Sequence, residues 1–179
     1  MSARPPHRDR LRARSRRQIR GAPAVPGTSG SAVAFLLMAD ESTQSITIAA
    51  PASDVLGVIA DFHAYPEWAD SITSATVLTH DDEGRPEQVR FNLDAGPIKD
   101  TYVLAYDWVD DGVTWDLVSG QVQRGQRGRY RLEEAGDGTE VTYTLSVDLA
   151  VPLPGLLKRR AEKRIMDQAL TGLKRRVEG

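Results

Sequence analysis

The chain has 179 residues and a net charge of −2, and 40% of its residues are hydrophobic, which fits one globular domain with room for a tail. It contains no cysteine and three scattered histidines, so disulfides and thiolate chemistry are excluded, and we expect neither a metal site nor another cofactor. No window approaches the roughly 18 consecutive apolar residues that a membrane-spanning helix requires.

Charge divides the chain near residue 37. Residues 1–37 contain eight arginines and one acid, Asp9, a net charge of +7 that leaves −9 for residues 38–179. The first segment is also rich in Pro, Gly and Ser, so we expect a disordered basic extension followed by a folded domain over 38–179. An acidic folded domain argues against nucleic acid as a partner.

Three interpretations of residues 1–37 stay open. The favoured one is that the natural start is Met38, just ahead of the first strand. The second is a genuine basic tail that contacts acidic polymers or lipids. The third is an export signal, because Ser15–Ile19 loosely resembles a twin-arginine motif, although Pro23 and Pro26 interrupt the segment that follows.

The folded domain opens with a strand and two short helices. Gln44–Ala50 alternates polar and apolar residues and predicts the strand. Val55 and Ile59 then share one face of a helix. A second short helix begins near Pro66, which suits a helix start, and it carries Trp68.

From Ile72 the apolar residues alternate with a period of two, and turn residues recur at close intervals. Six further strands are predicted: Ile72–His80, Glu87–Asp94, Thr101–Val109, a strand around Val113–Leu117, a strand ending at Glu133, and Val141–Leu149. Alternation places one face of such a sheet against a core and the other in water. On the wet face we expect four aspartates, Asp100, Asp107, Asp116 and Asp148.

The last segment, 151–179, predicts one long amphipathic helix. Its apolar residues recur every four positions, at Leu153, Leu157, Ala161, Ile165, Ala169, Leu173 and Val177. A helix of roughly 25 residues is about 38 Å long, enough to cross a curved sheet. We therefore predict an α+β fold in which a curved, seven-stranded antiparallel sheet wraps around the C-terminal helix, with two short helices after the first strand.

Element order and local motifs match a known superfamily. The motifs are Ala50–Val55, Asp61–Trp68, Gly128–Glu133, Gly138–Tyr143 and Pro152–Gly155. In these the sequence resembles the START-like, helix-grip superfamily (SRPBCC), and within it the polyketide cyclase/dehydrase group that also contains coenzyme Q-binding proteins. The resemblance implies a cavity between sheet and helix that binds a lipid, an isoprenoid or quinone, a polyketide or another bulky apolar molecule.

The candidate lining of that cavity combines aromatic residues of the sheet and short helices with apolar residues of the long helix. These are Phe62, Trp68, Ile72, Phe91, Tyr102, Tyr106, Trp115, Tyr130, Tyr143, Leu157, Ala161, Ile165 and Ala169. Aromatic side chains with a polar tip suit an apolar pocket that needs a few oriented hydrogen bonds. A place in an ordinary filled core is the alternative for each of them.

We predict binding or transport of a small hydrophobic ligand, without catalysis, since no catalytic triad, phosphate loop or metal spacing is present. The alternative is a polyketide aromatase/cyclase, in which Tyr102, Tyr143 or His63 points into the cavity. His63 also fits a surface turn. A third possibility is a filled core that serves as a partner-binding module.

The remaining predictions concern membrane contact, cellular location and oligomeric state. The basic cluster around Lys158–Arg160 fits a solvated outer face, which we favour, or transient contact with an anionic membrane during lipid transfer. We expect a cytoplasmic protein, as a monomer or homodimer. The sequence alone does not name the ligand.

Overall fold

The structure is a computed structural model that describes residues 41–95, 98–150 and 154–179. Its strands are β1 Ser42–Ile48, β2 Ile72–His80, β3 Pro86–Ala95, β4 Ile98–Val109, β5 Gly112–Gly120, β6 Gln123–Ala135 and β7 Gly138–Leu149. Its helices are α1 Ala52–Ala60, α2 Tyr65–Trp68 and α3 Gly155–Glu178, with a 3-10 turn at Phe62–Ala64 between the first two. Outside the described residues lie the predicted N-terminal extension, part of the turn at 95–97 and the start of the predicted C-terminal helix at 151–153.

The seven strands form one antiparallel sheet in the order β1-β7-β6-β5-β4-β3-β2. Ile46 of β1 pairs with Val141 of β7, so the first strand closes against the last. Two hairpin glycines, Gly112 and Gly136, have φ angles of 146° and 62°, which other residues rarely adopt. The predicted fold class, a curved sheet with a long C-terminal helix and two short helices after β1, is confirmed.

The second half of α3 is fixed to the edge strand β1. Lys174 Nζ donates to the carbonyl oxygen of Thr47 at 2.6 Å, and the backbone N–H of Ala49 donates to Glu178 Oε1 at 2.8 Å. The bond from Ala49, followed by the bond from Lys174, lowers the pKa of the Glu178 carboxyl. The end of the helix thereby covers the backbone groups at one edge of the sheet.

The helix does not bury the stripe predicted from the sequence. Leu157, at its first turn, is exposed, whereas Leu173, near its end, is fully buried. Residues four apart are rotated by about 40° around an α-helix, because one turn holds 3.6 residues. A row with that spacing winds from one side of a long helix to the other, so its two ends cannot face the same sheet.

A different row of α3 meets the core. Its buried residues are Glu162, Met166, Leu170, Gly172 and Leu173. Gly172 permits the closest contact, because a Cβ at this position would overlap the backbone carbonyl oxygen of Trp68. Helix α2 therefore lies directly on the second half of α3. Residues of α3 between Lys158 and Ala169 line the cavity described next.

Candidate functional site

A cavity of about 220 Å³ lies between the concave face of the sheet and the first half of α3. Residues of the sheet, of α2 and of α3 line it, and eight of them are aromatic: Tyr65, Trp68, Phe91, Tyr102, Tyr106, Trp115, Tyr130 and Tyr143. Aliphatic side chains fill the gaps between these rings, and polar groups gather where α3 passes the strand ends: Asp70, Asp100, Gln123, Gln126, Lys158, Glu162 and Gln168. The cavity is thus mainly apolar with a polar end, as small-molecule sites commonly are.

Three cross-strand aromatic pairs build the floor. Phe91 pairs with Tyr102, Tyr106 with Trp115, and Tyr130 with Tyr143. Their ring centroids are 5.3, 5.8 and 4.5 Å apart, respectively. Residues directly opposite on antiparallel strands share a face, and aromatic pairs there stabilise the sheet. The alternation read from the sequence therefore brings these rings to the concave side.

Tyr65 is the one described tyrosine whose hydroxyl is hydrogen-bonded within the protein. It donates to the carbonyl oxygen of Ile59 at 3.0 Å. The hydroxyls of the other four have no partner among the described residues; they belong to Tyr102, Tyr106, Tyr130 and Tyr143. Since buried hydroxyls are normally hydrogen-bonded, these four groups are available to a ligand or to water in the cavity.

Burial also fixes the protonation state of these tyrosines. It raises the pKa of Tyr102 and of Tyr143 above the ordinary value, and it raises those of Tyr106 and Tyr130 well above it. Burial disfavours the charged form, so each phenol keeps its proton at neutral pH. The tyrosines can donate hydrogen bonds to a ligand, but they are not bases.

Glu162 of α3 is a buried carboxylate in the cavity wall, with 2% of its surface exposed. Oε2 accepts from Ser42 Oγ at 2.8 Å, and Oε1 accepts from the backbone N–H of Val147 at 3.3 Å. Lys158 Nζ lies 3.9 Å from Oε1, one helical turn earlier. The two hydrogen bonds connect α3 to β1 and β7. Glu162 and Lys158 form a charged pair at the polar end of the cavity.

Asp100 of β4 is the second buried carboxylate of the lining. Its two oxygens accept the backbone N–H groups of Gln121, Val122 and Gln123 at 3.0, 3.1 and 3.2 Å. The side chain therefore organises the turn between β5 and β6. The expectation that Asp100 faces water was wrong, because three backbone donors at that turn replace the water that a carboxylate needs. Asp107, Asp116 and Asp148 are exposed as expected.

A sequence comparison places the chain in a known family. Residues 39–178 match the family model described as polyketide cyclase/dehydrase and lipid transport. The chain belongs to this family. The resemblance to START-like, helix-grip proteins noted from the sequence is confirmed. No curated protein matches the sequence significantly.

Solved structures share the fold at low identity. A START superfamily protein from Mycobacterium smegmatis is 24% identical with a TM-score of 0.73, over 77% of this chain and 97% of the other. An aromatase/cyclase from a Streptomyces species is 16% identical with a TM-score of 0.66, over 77% and 93%. A STAR-related lipid transfer protein from Xanthomonas axonopodis is 17% identical with a TM-score of 0.60, over 78% and 86%. At these identities the likeness establishes the fold alone.

Within this family fold, the structure brings most of the predicted site residues together. The cavity is lined by Trp68, Ile72, Phe91, Tyr102, Tyr106, Trp115, Tyr130, Tyr143, Ala161, Ile165 and Ala169. Phe62 and Leu157 are not among its lining residues. The ring of Phe62 packs against that of Tyr106, with centroids 4.7 Å apart, and Leu157 is 52% exposed. His63 is exposed in the 3-10 turn and does not line the cavity either.

Sequence reasoning missed the polar end of the cavity. Glu162 stands four residues before Met166 and eight before Leu170, in the row that α3 buries. That spacing was visible, but a carboxylate in an apolar row is usually read as exposed. Among the described residues, no group of three or more His, Cys, Asp or Glu side chains could hold a metal ion, and no helix is long and apolar enough to cross a membrane.

Proposed function

We propose that the protein binds a small hydrophobic molecule in the cavity between sheet and α3, and sequesters or carries it. The observation that carries the proposal is an aromatic-walled space with a volume of about 220 Å³. It is lined by tyrosines whose hydroxyls have no partner among the residues that the structure describes. A core that served stability alone would gain by filling this space, because apolar voids destabilise proteins. The family description, which includes lipid transport, agrees with this role.

The protonation and hydrogen bonding of the polar lining groups favour a carrier role over catalysis. The tyrosines are held neutral by burial. The oxygens of Asp100 and Glu162 are engaged by backbone or hydroxyl donors. A general base has to be free to take a proton. The described lining therefore supplies binding and orientation more readily than proton transfer.

The test is native mass spectrometry of the purified full-length protein, followed by organic extraction and identification of what is released. We expect a defined apolar passenger, or uptake of an apolar probe after delipidation. An empty protein that, once delipidated, takes up no quinone, fatty acid or polyketide-like probe would contradict the proposal.

An aromatase/cyclase is the second candidate, because Tyr102 and Tyr143 line the cavity and their hydroxyls bond to none of the described residues. Neutral phenols could polarise the keto groups of a folded poly-keto chain and orient it for ring closure. Incubation with a reactive poly-keto substrate, comparing the unaltered protein with Tyr102→Phe and Tyr143→Phe, tests this. A product distribution identical to that of the spontaneous reaction would rule it out.

A surface near the cavity suits transient contact with an anionic membrane, and we include it in the proposal. Leu156 and Leu157, on the first turn of α3, are 73% and 52% exposed. Lys158–Arg160 follow directly, within a folded part of net charge −9. Exposed leucines among cations are typical of a face that inserts shallowly into anionic lipid. Ala161 and Ile165 of the same helix line the cavity, so a ligand could pass beside this surface.

A further inference from the structure

The unpartnered tyrosine hydroxyls share one space. Tyr102, Tyr106, Tyr130 and Tyr143 are each less than one-tenth exposed, and all line the cavity. Tyr130 and Tyr143 pair across β6 and β7, with ring centroids 4.5 Å apart. Because all four tyrosines line one cavity, a single ligand bound there can meet more than one of their hydroxyls.

This group of hydroxyls favours one kind of ligand atom. A phenol held neutral by burial has one proton to donate, and none of the four donates it to another described residue. A ligand oxygen that accepts these protons would satisfy donors that otherwise lack a protein partner. An aliphatic group in the same place would leave them without one.

The polar end of the cavity selects against negative charge. Among the described lining residues, the buried carboxylates of Asp100 and Glu162 outnumber one ammonium, that of Lys158, and the exposed Asp70 adds a third carboxylate. Lys158 already lies 3.9 Å from Glu162. An anionic ligand would bring a further negative charge into a partly desolvated region that is net negative, which is unfavourable.

We propose that the cavity selects a neutral apolar molecule that carries carbonyl or similar acceptor oxygens at the end bound by Tyr102, Tyr130 and Tyr143. It discriminates against plain hydrocarbons, which satisfy no hydroxyl, and against fatty-acid-like anions, which the carboxylates repel. This inference rests on the proposed function, since it names the ligand class of the same cavity.

Three probes on one bicyclic skeleton test the selection: acetonaphthone, a neutral ketone; ethylnaphthalene, a hydrocarbon; and naphthoate, an anion. Their affinities for the delipidated full-length protein are measured by equilibrium dialysis. We expect the ketone to bind about 5-fold more tightly than the hydrocarbon, the value of one good hydrogen bond, and naphthoate to bind most weakly. A hydrocarbon that binds as tightly as the ketone, or naphthoate that binds more tightly, would overturn the inference.

Single substitutions test which tyrosine hydroxyls give the cavity its preference for the ketone. Tyr102→Phe and Tyr143→Phe should reduce the preference for ketone over hydrocarbon, and circular dichroism shows whether these variants fold. Thr114→Val is the control, because it removes a hydroxyl of β5 that does not line the cavity, and it should keep the preference. Glu162→Gln should narrow the gap between ketone and naphthoate.

The outcomes of the probe series distinguish failure of this ligand selection from failure of the proposed function. Equal binding of all three probes would leave a hydrophobic-ligand protein and remove the selection. Binding of none would overturn both. The affinities of the unaltered protein for the three probes test the selection by themselves. A variant that fails to fold therefore leaves this test valid.

Discussion

The indole of Trp115 occupies the space where residue 128 would carry a side chain. The two residues pair across β5 and β6, and a Cβ at position 128 would overlap the indole ring. The cavity floor depends on this arrangement, because Trp115 also packs against Tyr130 and Tyr143, with ring centroids 5.3 and 5.7 Å away. A glycine in the middle of a strand, normally unfavourable, is here required by the ring above it.

Gly128→Ala should displace the indole and lower the free energy of unfolding by about 1–3 kcal/mol, as overpacking of a core does. Urea denaturation measures the change, and the ligand-probe affinity should fall with it. Gly125→Ala in the same strand is the control, because its new methyl group would make an ordinary contact 3.5 Å from Asp148 Cβ. Equal stability of the two variants would show that the ring moves aside without cost.

Glu162→Ala should destabilise the fold by about 1–3 kcal/mol, because the N–H of Val147 and the hydroxyl of Ser42 lose their acceptor. Thermal and urea unfolding report the loss, and Glu162→Gln should recover part of it. Asp167→Ala removes an exposed pair with Lys163 on the same helix and should change stability by less than about 0.5 kcal/mol. Similar losses at the two positions would contradict the structural role of Glu162.

Alkaline pH should unfold the protein through its tyrosines. Their pKa values are raised in the folded state, chiefly by burial, so the stability they confer is fully present below about pH 10, the unfolded value. It declines as pH rises from there towards the higher folded values, by about 1.4 kcal/mol per pH unit for each tyrosine. Tyrosinate absorbance and circular dichroism should change together. Tyrosinate formation at an ordinary pKa in a protein that stays folded would contradict the burial.

The first turn of α3 should bind anionic vesicles. Sedimentation with phosphatidylserine-containing vesicles is expected to retain more protein than with phosphatidylcholine alone, and added salt should weaken the binding. Leu156→Ser with Leu157→Ser should reduce it several-fold, because both exposed leucines lose their insertion. Val118→Ser removes from β5 an apolar side chain that is as exposed as Leu157, and it should have no effect. Loss of binding in the Val118 variant alone would place the surface elsewhere.

The sequence alone determined the elements and the face that each strand buries. Alternation in β3 to β7 required local information only, since a strand turns its side chains to opposite faces whatever it pairs with. Hence Phe91, Tyr102, Trp115, Tyr130 and Tyr143 were assigned to the concave side before any pairing was known. The same local rule could not show that Asp100 would find three backbone donors at a distant turn.

Only the tertiary structure decided which side of α3 faces the sheet and how much space lies beneath it. The predicted row follows a repeat of four residues, whereas an α-helix repeats every 3.6 residues. This difference accumulates over the 24 residues of α3, so the row is buried at Leu173 and exposed at Leu157. The contact of Gly172 with Trp68 then sets where the helix lies closest to α2. The cavity is the volume left over by these long-range contacts. The spacing of Glu162, Met166 and Leu170 was visible in the sequence, but only the tertiary structure showed that this row faces the sheet and places Glu162 and Lys158 at the polar end of the cavity.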